Sequence, residues 1–178
     1  MSSKVPMNKF FNEMIAFEEL KTPESLAIIR TIAREVWPET FAAILSKEQI
    51  IYMMQMMYAP EVMTGELHNG YHFELISVDG EAAGYFSWSP YSLPGTAKLH
   101  KLYLRHKFHG RGIGSQMLKQ VEFQAKAAGF NRLRLNVNKF NTKARKAYFR
   151  NKFSDVESVK IDIGSGFFMD DFVMEKNI

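Results

Sequence analysis

The chain contains no cysteine. That absence excludes disulfides, thiolate catalysis and cysteine-ligated zinc, and it fits a reducing, cytoplasmic setting. Long apolar runs are missing as well. No stretch approaches the roughly 20 residues of a membrane helix, and no short apolar segment with a cleavage site follows Met1. His68, His72, His100, His106 and His109 lack the close His/carboxylate spacing of a zinc site, so no metal is expected. Charge of one sign is not in large excess. The net charge of +4 is modest and partly local to residues 98–111, which suits an anionic small molecule at least as well as nucleic acid.

What is present is an ordinary globular composition, 46% hydrophobic and 24% charged over 178 residues, long enough for a sizeable core. One domain over residues 1–178 is expected, with 1–13 as a loose lead-in, because no repeat, low-complexity tract or linker divides the chain. Met14 to Phe17 reads as a short strand. Thr22-Pro23 starts a helix, with Thr22 as cap, and Leu26, Ile29, Ala33 and Val36 recur at helical spacing until Pro38 ends the run. Ser46 to Gln49 has the form of a capping box, and it opens a helix carrying Met53, Met54, Met56 and Met57. That helix reads first as core; the alternative is one wall of a substrate cleft, since methionine fills irregular gaps.

Tyr71–Val78 and Ala82–Trp88 form a hairpin about Asp79-Gly80, and a further strand begins near Ala97. Ile113, Met117, Leu118, Val121, Ala125 and Ala128 mark one face of a helix that Gly129 stops. Leu133, Leu135 and Val137 alternate with polar neighbours as a strand with one wet face, parallel to the strand before the helix. Asn141 caps a helix to about Arg150, and two strands close the chain near Val156–Ile163 and Phe167–Glu175.

The segment Leu99 to Gly114 organises the rest. An apolar strand turns basic at Arg105, passes through Gly110, Gly112 and Gly114, and meets a helix at once. Glycines let the backbone approach a ligand closely, and helix N-terminal N–H groups lack intrahelical partners, so the junction is suited to phosphate or pyrophosphate. Arg105, Lys107 and Arg111 add mobile positive charge to it. The spacing is neither that of a P-loop nor Gly-x-Gly-x-x-Gly.

Leu99–Leu118, followed by Asn141–Phe153, resembles the GNAT superfamily of acyl-CoA N-acetyltransferases. His109-Gly110-Arg111-Gly112-Ile113-Gly114 stands where that family has Gln/Arg-x-x-Gly-x-Gly/Ala. Asn141-x-x-Ala144-x-x-x-Tyr148 is the second match, with Lys152-Phe153 where Gly-Phe is frequent. Trp37 to Phe41, the methionine-rich helix and Gly166 to Asp171 are similar to bacterial polyamine-acetylating members. The resemblance implies a mixed α/β (α+β) fold, with a mostly antiparallel central sheet of about seven strands flanked by helices. It also implies acetyl-CoA as co-substrate.

On that resemblance the N–H groups of His109, Gly110, Arg111, Gly112, Ile113, Gly114 and Ser115 cradle the pyrophosphate, and the His109 side chain donates to a phosphate. Leu102, Tyr103 and Leu104 supply a strand edge to the two pantetheine amides. Ala97 and Leu99 are odd-numbered whereas Leu102 and Leu104 are even, a phase slip that a β-bulge near His100–Lys101 would produce. A strand buried on both faces would give a similar pattern. Tyr148 lies about two helical turns after Asn141, on the same helix face. In the family the matching Tyr protonates the departing thiolate and the matching Asn contacts the cofactor; otherwise Tyr148 is a packing residue. An attacking amine must lose a proton first, and His100, Glu39 and Glu74 are the candidate bases. Asp170, Asp171 and Glu175 either draw a polycation toward the cleft or form the wet face of a terminal strand.

The expected activity is acetyl transfer from acetyl-CoA to a primary amine by direct attack. A polyamine or other small amine is favoured over a protein N-terminus or lysine. The rivals are a non-catalytic acyl-CoA sensor and a nucleic-acid binder using Lys98, Lys101, Arg105, Lys107 and Arg111. No recognition-helix pattern favours the latter. The expected partners are therefore a small-molecule amine and neither nucleic acid nor membrane, with a homodimer left open.

Overall fold

The computed structural model describes residues 13–178, so most of the expected lead-in lies outside the described residues. These form seven strands and five α-helices: β1 (Ile15–Glu19), α1 (Ala27–Phe41), α2 (Lys47–Tyr58), α3 (Pro60–His68), β2 (His72–Val78), β3 (Glu81–Pro90), β4 (Thr96–Leu104), α4 (Ile113–Ala127), β5 (Arg132–Asn138), α5 (Thr142–Arg150), β6 (Ser154–Gly164) and β7 (Phe167–Asn177). One sheet takes them in the order β1-β2-β3-β4-β5-β7-β6. Every pairing is antiparallel except β4 with β5, as the strand–helix–strand pattern requires. The expected fold class is the observed one.

The sheet separates two cores. On one face α4 buries Ile113, Met117, Leu118, Val121 and Ala125 against Ala97, Leu99, Leu133 and Leu135. On the other, α1 to α3 bury Ile29, Ile32, Trp37, Met53 and Met63 against Phe73 and Tyr85. Each large side chain so buried contributes about 1.5–3 kcal/mol.

Three local expectations are corrected. The α-helix starts at Ala27, a turn after Thr22; Thr22 does accept from the Ser25 N–H at 3.3 Å, but a looser turn intervenes. Pro38 lies inside α1, which runs on to Phe41 and places Trp37 and Phe41 in the core. Proline removes one N–H and restricts the residue before it, yet burial of the last helical turn outweighs that loss. Helix α3 is an element that the sequence pattern does not announce. Ser46 does cap α2, accepting from the Gln49 N–H at 3.1 Å, but the Gln49 side chain crosses instead to the Phe168 carbonyl at 2.7 Å. The methionine-rich helix is both core and wall: Met53 is buried, and Met53 and Met57 line a cleft.

Candidate active site

Strand β4 makes the site by parting from its neighbour. Thr96–Leu99 pair with Arg132–Leu135 of β5, and there the ladder stops, while β5 continues on β7 alone. On its other side β4 stays paired with β3 as far as Leu104. Ser87 faces Lys101 and Trp88 faces Leu99, so His100 is the extra residue of a bulge, where the phase slip indicated. The bulge sends Ala97, Leu99, Leu102 and Leu104 to the α4 core and brings both His100 and Lys101 to the opposite face. Arg105 N–H donates to Ala83 O, at 2.8 Å, toward β3. By strand alternation the main-chain groups of Leu102 and Leu104 then face the parted side. Apart from the Leu104 carbonyl, which His109 Nε2 engages at 2.8 Å, that edge can take an extended ligand as a further strand.

The edge leads into the glycine loop. Gly110 and Gly112 have φ of 75° and 77°, left-handed values that other residues adopt at a cost, and a Cβ at either would meet open space. Gly112 is the N-cap of α4, and its carbonyl accepts from Gln116 N–H at 3.2 Å. The N–H groups of Gly110, Arg111, Gly112, Ile113, Gly114 and Ser115 find no acceptor among the described residues. Ile113 anchors this row by its buried side chain. Converging free N–H groups at the positive end of a helix dipole suit a diphosphate.

The loop's side chains behave otherwise than expected. Arg105 makes a two-pronged pair with Glu35 at 2.7 and 2.9 Å, Lys107 pairs with Glu81, and Arg111 pairs with Glu13. Their charge is committed. The His109 side chain is engaged as well. The residue's N–H donates to His106 O at 3.0 Å, Nε2 donates to Leu104 O at 2.8 Å, and Nδ1 accepts from Lys143 Nζ at 3.1 Å. Burial and the Lys143 charge lower its pKa, so the ring is a neutral tie between loop, strand edge and α5. Ser115 Oγ accepts from Asn151 Nδ2 at 3.2 Å, and Asn141 Oδ1 caps α5 by accepting from Ala144 N–H at 3.1 Å. Lys143 forms no salt bridge among the described residues.

Beyond the open edge lies a cleft of about 230 Å³ between α1, α2, α3 and the β4–β5–β7 face. Trp37, Phe41, Met53, Met57, Phe168 and Met169 give it apolar walls, and Glu66, Asp171, Asn136 and Asn138 give it polar groups. Tyr103 joins the walls, packed on Trp37 at 5.7 Å and Tyr85 at 5.6 Å between ring centres. Lys101, 2% exposed, donates to both carboxylate oxygens of Glu66 at 2.8 and 2.6 Å. Burial pulls the Lys101 pKa down and the Glu66 charge opposes that pull. Sequence reasoning missed this pair, because it joins residues of two elements with no motif between them. Tyr148 is partly buried beside Phe153, at 5.7 Å, and burial pushes its pKa up to about 12, so the phenol keeps its proton at neutral pH.

Of the candidate bases, two leave the cleft. Glu39 lies in an outer hollow against His106 at 3.6 Å. Glu74 faces α4, held by Gln120 at 3.1 Å and by Gln124, with burial raising its pKa. His100 does line the cleft, stacked on Tyr71 with ring centres 4.4 Å apart and its Nε2 2.9 Å from Ser89 Oγ. Burial, with Lys101 and Lys98 nearby, pushes its pKa down to about 3, which makes it a weak base. Asp170 pairs with Lys139, and Glu175 with Arg134 at 2.5 Å; Asp171 is buried in the cleft wall, not on a wet face. No three His, Asp or Glu side chains gather as a metal would need among the described residues, and no helix there is long and apolar enough to cross a membrane.

The fold recurs in known proteins. The chain is 27% identical over 158 residues to the spermidine N(1)-acetyltransferase of Thermoplasma acidophilum, covering 86% of this chain and 91% of that one. It superposes on the PaiA N-acetyltransferase of Thermoplasma acidophilum, solved in complex with coenzyme A, with a TM-score of 0.74 and 26% identity over 92% of this chain and 99% of that one. The ribosomal-protein-S18-alanine N-acetyltransferase of Escherichia coli shares the fold, with a TM-score of 0.69 at 14% identity over 93% of this chain and 94% of that one. The family model for acetyltransferases of the GNAT family matches residues 28–153, which span the parted strands, the loop and α5. With motif, fold and family model in agreement, the chain belongs to the GNAT acetyltransferase family.

Proposed function

We propose that this protein transfers an acetyl group from acetyl-CoA to a small primary amine, a polyamine before a protein, by direct attack in a ternary complex. The observation that carries the reading is continuity: one open strand edge runs from a row of free N–H groups into a cleft holding carboxylates among methionines. Acetyl-CoA bound along that edge would supply an activated acyl carbonyl and a thiolate leaving group. The N–H groups of Gly110 to Ser115, with the Lys143 ammonium beside them, hold the phosphates. The Leu102–Leu104 edge orients the pantetheine amides and turns the acyl group toward the cleft. A main-chain N–H near Leu102 stabilises the oxyanion. Tyr148, protonated at neutral pH, gives its proton to the departing sulfur. With no cysteine in the chain, a cysteine-bound acyl intermediate is excluded.

A polyamine alternates ammonium groups with methylene runs, and the cleft is lined by both carboxylates, Glu66 and Asp171, and methionines, Met53, Met57 and Met169. The likeness to a protein named as a spermidine acetyltransferase points the same way. The test is free-thiol release from acetyl-CoA across a panel of amines that includes spermidine and a lysine peptide. Spermidine should rank above the peptide. Tyr148→Phe should lower kcat by about 10²–10⁴-fold without changing the affinity for CoA. Tight binding of acetyl-CoA with no amine-dependent release would replace the transferase with a sensor.

A further inference from the structure

The carboxylates around the cleft are not equivalent. Glu66 is held by Lys101 at 2.6 Å, Asp170 by Lys139 and Glu175 by Arg134 at 2.5 Å. Asp171 forms no salt bridge among the described residues. The one polar contact of its side chain among the described residues is with Asn136 Nδ2 at 3.4 Å, near the limit of a hydrogen bond. Yet it is only 7% exposed and lines the cleft. A carboxylate so placed is costly unless a cation or a proton comes to it.

Its position is as telling as its isolation. On β7, Asp171 stands opposite Asn138 of β5, at the end of the strand pair that has parted from β4. Across the parting lies Tyr103, which lines the same cleft, and burial, with Asp171 adding to the effect, holds its phenol well above its usual pKa. Tyr103 and Asp171 thus face one cleft. The other groups that bear on Asp171 are Lys98 of β4, Lys139 after β5, Asn136 of β5 and Asp170 of its own strand. Lys98 is itself partly buried, near the Tyr91 ring and Arg134, and burial lowers its pKa. Burial raises the pKa of Asp171 despite the two lysines, which makes it a better proton acceptor than a solvated carboxylate.

We propose that Asp171 is the catalytic base: it receives the acceptor's ammonium in the cleft and takes its proton. This rests on the acetyltransferase reading given above. Asp171 Oδ takes one proton from the ammonium, freeing the nitrogen lone pair to form the C–N bond as the acyl C–S bond breaks. Tyr148 Oη gives its proton to the departing sulfur and regains one from the new amide nitrogen. Asp171 then returns its proton to solvent, so each turnover releases one proton. His100 is too weak a base for this step, and Glu66 is engaged by Lys101.

The test compares wild type, Asp171→Asn and Asp171→Glu in kcat/KM for the amine from about pH 6 to 10, with CoA affinity measured by calorimetry. Asp171→Asn should lose about 10²-fold or more, with CoA affinity within about twofold of wild type. Its remaining rate should rise with pH as free amine accumulates, and Asp171→Glu should recover part of the loss. If Asp171→Asn fails to bind CoA, Asp171→Ser and Asp171→Glu are compared instead, and equal rates in those two overturn the proposal. A wild type that turns over amines while Asp171→Asn stays within about threefold of it overturns this assignment alone. A wild type that binds CoA but acetylates no amine overturns the transferase reading, and this one with it.

Discussion

The C-terminal end of β4 and the bulge at its middle present polar groups by opposite means. At its C-terminal end the loop offers main-chain N–H groups, while Arg105, Lys107 and Arg111 are engaged by Glu35, Glu81 and Glu13. At the bulge the cleft relies on side chains from α1, α2, α3, β4, β5 and β7, and on charges buried there. Backbone recognition needs only a short run of glycines and a helix start. Recognition by side chains needs distant residues to be brought together, and its charges must be offset within the fold. A mutation in the cleft should therefore cost stability before it costs binding, and one in the loop the reverse.

The largest effect expected is at Glu66. Glu66→Gln leaves the Lys101 ammonium buried without its carboxylate, at a cost of about 3–5 kcal/mol. Thermal unfolding would read this as a large fall in Tm. Lys101→Met should cost clearly less, because it removes the deeply buried charge and leaves Glu66 at the more exposed end of the pair. Equal losses in the two variants would mean that Lys101 carries no buried charge. Gly112→Val comes next. A β-branched residue at φ of 77° is strained by about 2 kcal/mol, which should appear as CoA affinity lowered at least tenfold while the cleft cores keep most of the Tm.

This contrast also sets how much could be read from the chain. The loop was legible because its determinants are contiguous: Gly110, Gly112 and the apolar face of α4 adjoin one another. The bulge was legible from the odd-to-even slip between Leu99 and Leu102, because the α4 core imposes one face on both. The partnerships of the charges were not. Nothing adjacent to Arg105 announces Glu35, 70 positions away, and nothing near Lys101 announces Glu66. Pro38 misled for a related reason: the local rule for proline was outweighed by packing of Trp37 and Phe41 against Tyr103. Lys152 shows the reverse. It sits at φ of 68° just after α5, where glycine would be relaxed, which gives the family's frequent Gly-Phe a physical cause.

His100 sharpens the comparison through pH. Its pKa in the folded protein is pushed down to about 3, against about 6.5 when unfolded. A depressed pKa means the unfolded chain binds the proton first. Stability from the neutral ring is therefore complete above about pH 6.5 and lost as pH falls toward 3, at no more than about 1.4 kcal/mol per unit. His100→Gln should flatten the fall of Tm between about pH 6 and 4. An NMR titration should find the wild-type His100 ring unprotonated throughout that range. An imidazole titrating near 6.5 would show that the bulge is hydrated rather than buried.

The smallest effects separate Lys143 of α5, which has no carboxylate partner among the described residues, from the loop's engaged cations. Lys143 contacts His109 Nδ1, and with no such partner an arriving phosphate meets its charge directly. Lys143→Ala should weaken CoA binding by about fivefold, about 1 kcal/mol, and reduce its salt dependence. Arg111 must first leave Glu13, so what a phosphate gains from it is largely cancelled by the broken pair. Arg111→Ala should change CoA affinity by less than about twofold, although Arg111 lies within the glycine motif and Lys143 is 33 residues beyond Gly110. The opposite ranking would mean that the loop's arginine exchanges Glu13 for the ligand, and that side-chain charge, not the main chain alone, holds the phosphates at this end of β4.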